Sequence, residues 1–382
     1  MLYLSRTALI SLGLSVIVGG VPSPKAALVP LTPAEQAVKQ ALTALVTQED
    51  QAILAQNPKA LRAVFVPGAS SAEDAFDHAH DREAFLAAWA KARQIRLQAV
   101  TVTLRTPHIT FQSPERVKVF AVVSENYTYR YLPTGPLQHF GLGIRHDYVL
   151  QAVDRQWRIR ADDFTDPLDQ DTRIPQAAKP ATDTPRVSGP HQPPAPLNKN
   201  AEAAVHYADE YCGAAPGCGN HGFYNRAYNN YNGEGGDCTN FISQALKAGG
   251  FRETCGWSYD RHRGEGSYAW SNAVGLAEYL AASGRATSYA EGRYPSITRP
   301  TERFPHGSIA ALRPGDLISY VERGRPIHTA MVTGFDSKGV PLVDSHTSDR
   351  YHVPWDLGWD RSTRYILWHV HYPNPSRQKT LP

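Results

Sequence analysis

Gly235-Gly236-Asp237-Cys238-Thr239-Asn240-Phe241-Ile242-Ser243-Gln244 is the stretch that decides how the second half of this sequence folds. Phe241, Ile242, Ala245 and Leu246 recur at helical spacing, and Gly249-Gly250 follows, so the pattern predicts a helix from Asp237 to Ala248. The paired glycines ahead of it let the backbone turn sharply and leave the sulfur of Cys238 accessible at the helix mouth. Unpaired amides and the macrodipole there favour an anion, so a thiolate is expected, as a nucleophilic cysteine requires. The plainer reading of the same residue is a buried core thiol or half of a disulfide.

Working outward, Ala203 to Tyr211 reads as a short helix, and a polar stretch rich in Gly, Asn and Tyr leads to Gly236. A further helix is expected over Tyr268 to Ser283. After Leu312 the period falls to two. The turn Pro314-Gly315-Asp316 precedes strands at Leu317 to Val321, Ile327 to Phe335, Val340 to Thr347 and Arg364 to Tyr372. Helices first and an antiparallel sheet afterwards make an α+β unit. The base that Cys238 needs is sought on that sheet, at His328. If Phe335 pairs with Val340, His328 lies opposite Thr347, and a change of one residue in the loop sets it opposite His346. His346 is then placed to orient His328 and fix its tautomer, with Asp344 and Asp349 as competing orienters. Cysteine, histidine and a third polar residue form a thiol acyl-transfer site.

The chain has four cysteines, and all fall between 212 and 255. Cys212 to Cys218 and Cys218 to Cys255 are equal contenders for a disulfide. A zinc site of Cys212, Cys218, His221 and Cys255 has spacings unlike the usual ligand pairs, so no metal is expected. Tyr224, Tyr228, Tyr231, Trp257, Tyr259, Trp270, Trp355 and Trp359 offer walls for glycans or peptide backbones, though such residues more often pack a core.

The N-terminal half is built differently. Met1 to Arg6 and the apolar run Thr7 to Val21 have the form of a secretory signal, with small residues at Gly19, Gly20, Ala26 and Ala27 for cleavage. Residues 1–30 are therefore set aside, export is expected, and no second apolar run of membrane length follows. Thr32 to Leu54 reads as a helix with Pro33 in its first turn, and Arg82 to Gln94 as another. Strand patterns follow near 97–105, 116–132, 138–152 and 155–162. Over residues 31–165 they form a second small α+β unit. Its last strand, Gln156-Trp157-Arg158-Ile159 before Asp162-Asp163-Phe164, resembles that of the cone-shaped, nuclear-transport-factor-like or SnoaL-like domains. Residues 166–200 carry eight prolines between Pro167 and Pro196 and read as a semi-rigid linker to a domain over 201–382. With 39 Lys and Arg against 36 Asp and Glu and no basic stripe, nucleic acid is not an expected partner.

Residues 200 to 372 resemble the putative amidase domain of bacterial exported proteins, a branch of the papain-like cysteine hydrolases more distantly related to CHAP and cell-wall endopeptidase domains. Ala203 to Ala208, Gly235 to Gln244, Leu312 to Ile318, His328 to Gly334 and Ser345-His346-Thr347-Ser348-Asp349-Arg350 carry the resemblance. It implies a papain-like fold with a helix-borne cysteine on an antiparallel sheet. It also implies a nucleophile at Cys238, a base at His328 and a third polar residue at His346. The Cys238 amide is the implied oxyanion donor, with Asp237 and Asn240 shaping the pocket. The expected activity is hydrolysis of an amide or peptide bond without metal or organic cofactor, with the cell-wall peptides of peptidoglycan as the substrate class. Acyl transfer to an amine, or ligand binding with Cys238 merely structural, are the alternatives.

Overall fold

The computed structural model describes residues 30–168, 171–178 and 197–373. The expected export signal thus lies outside the described residues, as does most of the proline-rich stretch; residues 171–178 are neither helix nor strand. Helix α1 (Pro33–Leu54) begins where the sequence places it. The Thr32 hydroxyl accepts from the Glu35 amide, and the Glu35 carboxylate accepts from the Thr32 amide at 2.7 Å, a reciprocal cap with Pro33 in the first turn. After the short α2 (Pro58–Arg62), α3 (Ser70–Arg93) starts well ahead of the expected Arg82. Its first turns bury only Ala72, Ala75 and Ala79, which give little hydrophobic periodicity to read. These helices pack on β1 (Ile95–Ser113), β2 (Arg116–Tyr131), β3 (Gln138–Val153) and β4 (Gln156–Phe164).

The second half opens with α4 (Lys199–Tyr211) and α5 (Cys238–Ala248), then the two-residue strands β5 (Tyr259–Asp260) and β6 (Glu265–Gly266). The single helix expected over Tyr268 to Ser283 is two, α6 (Tyr268–Ser271) and α7 (Ala273–Ser283). Asn272 breaks it, because its extended backbone and side-chain oxygen cap the second piece through the amides of Val274 and Gly275. Next come β7 (Ala286–Arg293), α8 (Tyr294–Thr298), β8 (Leu317–Glu322), β9 (Arg325–Phe335), β10 (Pro341–Ser345), β11 (Asp349–Pro354) and β12 (Arg364–Val370).

One antiparallel sheet runs through both halves in the order β1-β2-β3-β11-β10-β9-β8-β12-β7, with β4 also on β3. The far edge of β3 is shared: residues 146–153 pair with β4, and 141–143 pair with β11. At that joint Gly141 and Gly143 leave room for the loop after α4. A Cβ on Gly143 would lie 2.8 Å from the Ala214 carbonyl carbon, and one on Gly141 would meet Pro216. Ser124 Oγ donates to the Ala214 carbonyl at 2.7 Å. Arg93 pairs with Asp356 at 2.6 Å, and Val353 and Leu357 join the same core as Phe85 and Trp89. The rest of the sheet is covered on both faces. Phe241 and Ile242 of α5 share a core with Leu317, Met331 and Trp368, whereas Tyr294 and Trp355 share one with Ile318, Tyr320, Ala330 and Val332. The fold is therefore mixed α/β around one large antiparallel sheet.

Candidate active site

Positive φ at Gly235 (109°) and Gly236 (122°) turns the chain into α5, as the paired glycines require. Asp237 then organises the helix start. Its amide donates to Thr347 Oγ1 (3.0 Å), and its Oδ1 accepts from the Tyr231 amide (2.9 Å) and Asn240 Nδ2 (2.8 Å). Its Oδ2 lies 2.6 Å from His346 Nδ1. Asn240 in turn donates to the Asn229 carbonyl and accepts from Trp270 Nε1. The side chains of both residues are fully engaged. Neither is a spare donor for an oxyanion.

Cys238 is an unpaired thiol with 8% of its surface exposed. Its sulfur lies 3.7 Å from Thr239 Oγ1. Burial pushes this thiol up; contacts from the Thr329 backbone and the Thr239 hydroxyl oppose the shift without cancelling it. Desolvation of the sulfur thus works against the thiolate expected from the helix start.

His328 stands next to Thr329 on β9, yet its ring does not meet the sulfur. Its ring neighbours are Tyr320 (5.6 Å between centroids) and Trp359 (5.5 Å), on the face that also carries Ala330 and Val332. The alternate residue Met331 faces α5. Among the described residues no hydrogen bond holds the His328 ring, and its Nε2 is closed off from solvent without a partner. Burial, with Arg350 nearby, lowers its pKa to about 3, so it is a neutral imidazole.

His346 is buried between the rings of Tyr224 (3.7 Å) and Phe241 (4.1 Å). Its Nε2 lies 2.7 Å from the Tyr211 carbonyl, to which it must donate, and Asp237 takes Nδ1. Neither nitrogen is left to orient His328. The structure therefore joins His346 to the residue preceding Cys238 and does not join the expected Cys238–His328–His346 series. The hairpin opens one residue off the expected pairing, with Phe335 opposite Pro341; one bulge restores the expected register, where Val343 pairs with Val332 and Asp344 with Met331, but the ladder ends there, short of His328 and His346.

The two alternative orienters are elsewhere. Asp349 is fully buried at the β3–β11 joint, where it accepts from Arg145, the Tyr224 hydroxyl and the Ala214 amide (2.7 Å). Asp344 accepts from Thr333 Oγ1 and the His352 amide, and burial and Asp209 push its carboxyl up. Cys212 and Cys218 form a disulfide and Cys255 is exposed and free, so the four-ligand zinc set with His221 has lost two thiols. Trp257, Tyr259 and Trp270 are core residues, whereas Tyr224 and Tyr228 line a cleft of about 330 Å³ with Arg105, Arg145 and Arg226. Sequence reasoning missed Tyr211, which acts through its carbonyl, and Thr347. A backbone acceptor leaves no signature in residue types.

Residues 198–368 match the family described as a putative amidase domain. Uncharacterized protein YhbB of Bacillus subtilis is 31% identical over 156 residues, covering 38% of this chain and 45% of that protein. The chain thus spans less than half the length of the curated relative it matches. Among solved structures, a putative scytalone dehydratase from Novosphingobium aromaticivorans is 17% identical, with TM-score 0.25, and covers 35% of this chain and 87% of that one. A nuclear transport factor 2-like protein from Salmonella enterica is 15% identical, with TM-score 0.24, and covers 35% and 94%. Among the described residues no helix is long and apolar enough to cross a membrane.

Proposed function

We propose that this protein is an amide-bond hydrolase with Cys238 as nucleophile and His328 as proton acceptor, in a papain-like arrangement. The observation that carries the reading is the position of Cys238. It is an unpaired thiol at the first residue of α5, inside the span matched to the amidase domain, with the helix start fixed by Asp237 and His346. In the reaction the sulfur attacks the amide carbonyl carbon and its proton passes to His328. The amine leaves with that proton, and water hydrolyses the thioester to acid and free thiol. Because His328 projects from the face of β9 away from α5, it reaches the thiol only if the first residues of β9 rearrange along with its ring. Two features support this movement: no hydrogen bond among the described residues holds its ring, and the next residue, Thr329, already contacts the sulfur through its backbone. His346 then acts as a positioning residue for the helix start.

Export is supported by the apolar N-terminal run and by the Cys212–Cys218 disulfide, which suits an oxidising compartment. Export and the family resemblance together favour cell-wall peptides as the substrate class. One observation favours a competing reading: the thiol is buried and touches no imidazole, as a structural cysteine would be. Amine release from a panel of peptidoglycan-derived peptides separates the two. The hydrolase reading expects Cys238→Ala to abolish release and His328→Ala to slow it by roughly 100-fold or more. Full activity in Cys238→Ala would overturn it.

A further inference from the structure

Asp209 near the end of α4, Asp344 on β10 and His352 on β11 converge outside the site just described. Each presents one ligand atom, and the three atoms lie within 4.8 Å of one another. His352 Nε2 and Asp209 Oδ1 are 3.1 Å apart, the spacing of adjacent ligands on a cation with bonds of about 2.0–2.2 Å. An ion pair between these two side chains accounts for that contact alone. Asp344 is what it does not account for. This residue is fully buried; Thr333 Oγ1 and the His352 amide both donate to its Oδ1, at 3.0 and 2.8 Å. Its Oδ2 is buried with no hydrogen-bond partner among the described residues, a costly state for a carboxylate oxygen.

We infer that Asp209, Asp344 and His352 form a binding site for one divalent transition-metal ion, with Asp344 Oδ2 as its buried ligand. Two carboxylates and an imidazole suit zinc or manganese, whereas calcium and magnesium favour all-oxygen shells. The Asp209 and His352 side chains are 34% and 29% exposed, so the ion has a way in and water completes its shell. His352 is held at φ 50°, a left-handed backbone unusual for histidine, with its ring stacked on Tyr351 at 4.0 Å. The ion would clip together α4 and the β10–β11 region. The same elements are joined two residues further along each chain segment by the bond from His346 to the Tyr211 carbonyl. This inference is independent of the hydrolase reading.

The test uses the full chain without an affinity tag, stripped with chelator, desalted and titrated separately with Zn²⁺, Mn²⁺ and Ca²⁺. Calorimetry and elemental analysis of the washed protein read the binding, and thermal melting reads its effect on stability. Binding of one ion per chain is expected, with a raised melting temperature and at least tenfold weaker binding in His352→Ala and Asp209→Asn. Because both of those residues are partly exposed, these variants keep the test valid if Asp344→Asn fails to fold. Absence of saturable binding by both ions would overturn the inference. So would binding unchanged in His352→Ala and Asp209→Asn, which places the ion elsewhere, or Ca²⁺ binding as tightly as either metal.

Discussion

His328 carries a prediction whose sign follows from burial. Its folded-state pKa is lowered to about 3, while the unfolded value stays near 6.5, about the ordinary histidine. Between these values the unfolded chain takes up a proton that the folded one does not. The contribution to stability is kept above about pH 6.5 and lost as pH falls towards 3, at up to about 1.4 kcal/mol per pH unit. Urea unfolding from pH 4.5 to 8 should show a steeper acid loss in wild type than in His328→Gln; parallel curves would count against a buried neutral ring. Cys238 gives the companion test. Its raised pKa predicts that iodoacetamide labels it more slowly at neutral pH than an ordinary thiol of pKa about 8.5, and after the exposed Cys255. Rapid labelling of Cys238 below pH 7 in the free protein would show that the helix end, rather than desolvation, sets its ionisation.

At the scale of elements, the start of α5 depends on a buried pair rather than on the helix itself. Asp237→Ala would leave His346 with one empty partner between two aromatic rings, and would release Tyr231 and Asn240 as well. A loss of about 3–5 kcal/mol is expected by chemical denaturation, the cost of breaking a buried pair by removing one side. A loss below about 1 kcal/mol, the range of exposed pairs, would mean that the helix start is held by other contacts. How much of this was legible is clear from particular residues. Phe241, Ile242, Ala245 and Leu246 announced the helix, and Gly235-Gly236 its entry, because periodicity and backbone freedom are local properties. The partner of His346 was not legible. The β9–β10 ladder ends at Asp344 with Met331, and what His346 meets beyond it, Asp237 and the Tyr211 carbonyl, is set by packing against α4 and α5 rather than by loop length. Strands β7 and β11 were missed for a related reason. Their burial patterns do not alternate cleanly: β11 is wedged between β3 and β10, and β7 is the edge strand beside β12.

For the whole molecule, the sheet that crosses from β3 to β11 makes the halves interdependent. The joint rests on three residue pairs, on Asp349 with Arg145, and on glycines that admit the 214–216 loop. Gly143→Val would press on the Ala214–Ala215 peptide and should destabilise by about 1–3 kcal/mol, the usual cost of overpacking. Calorimetry is expected to show one unfolding transition for wild type, and for Gly143→Val an earlier or divided one; two separate transitions in wild type would contradict the coupling. The same joint connects the N-terminal half to the segment holding His346 and Thr347, so a disturbance there should also reach α5. Central to the account remains Cys238 as the nucleophile, and an acyl-enzyme is its direct signature. The decisive measurement is peptide mapping by mass spectrometry of the full chain, acid-quenched during turnover of a peptide amide. The account predicts a thioester adduct on the peptide bearing Cys238, absent in Cys238→Ala; turnover with that cysteine unmodified and dispensable would contradict it.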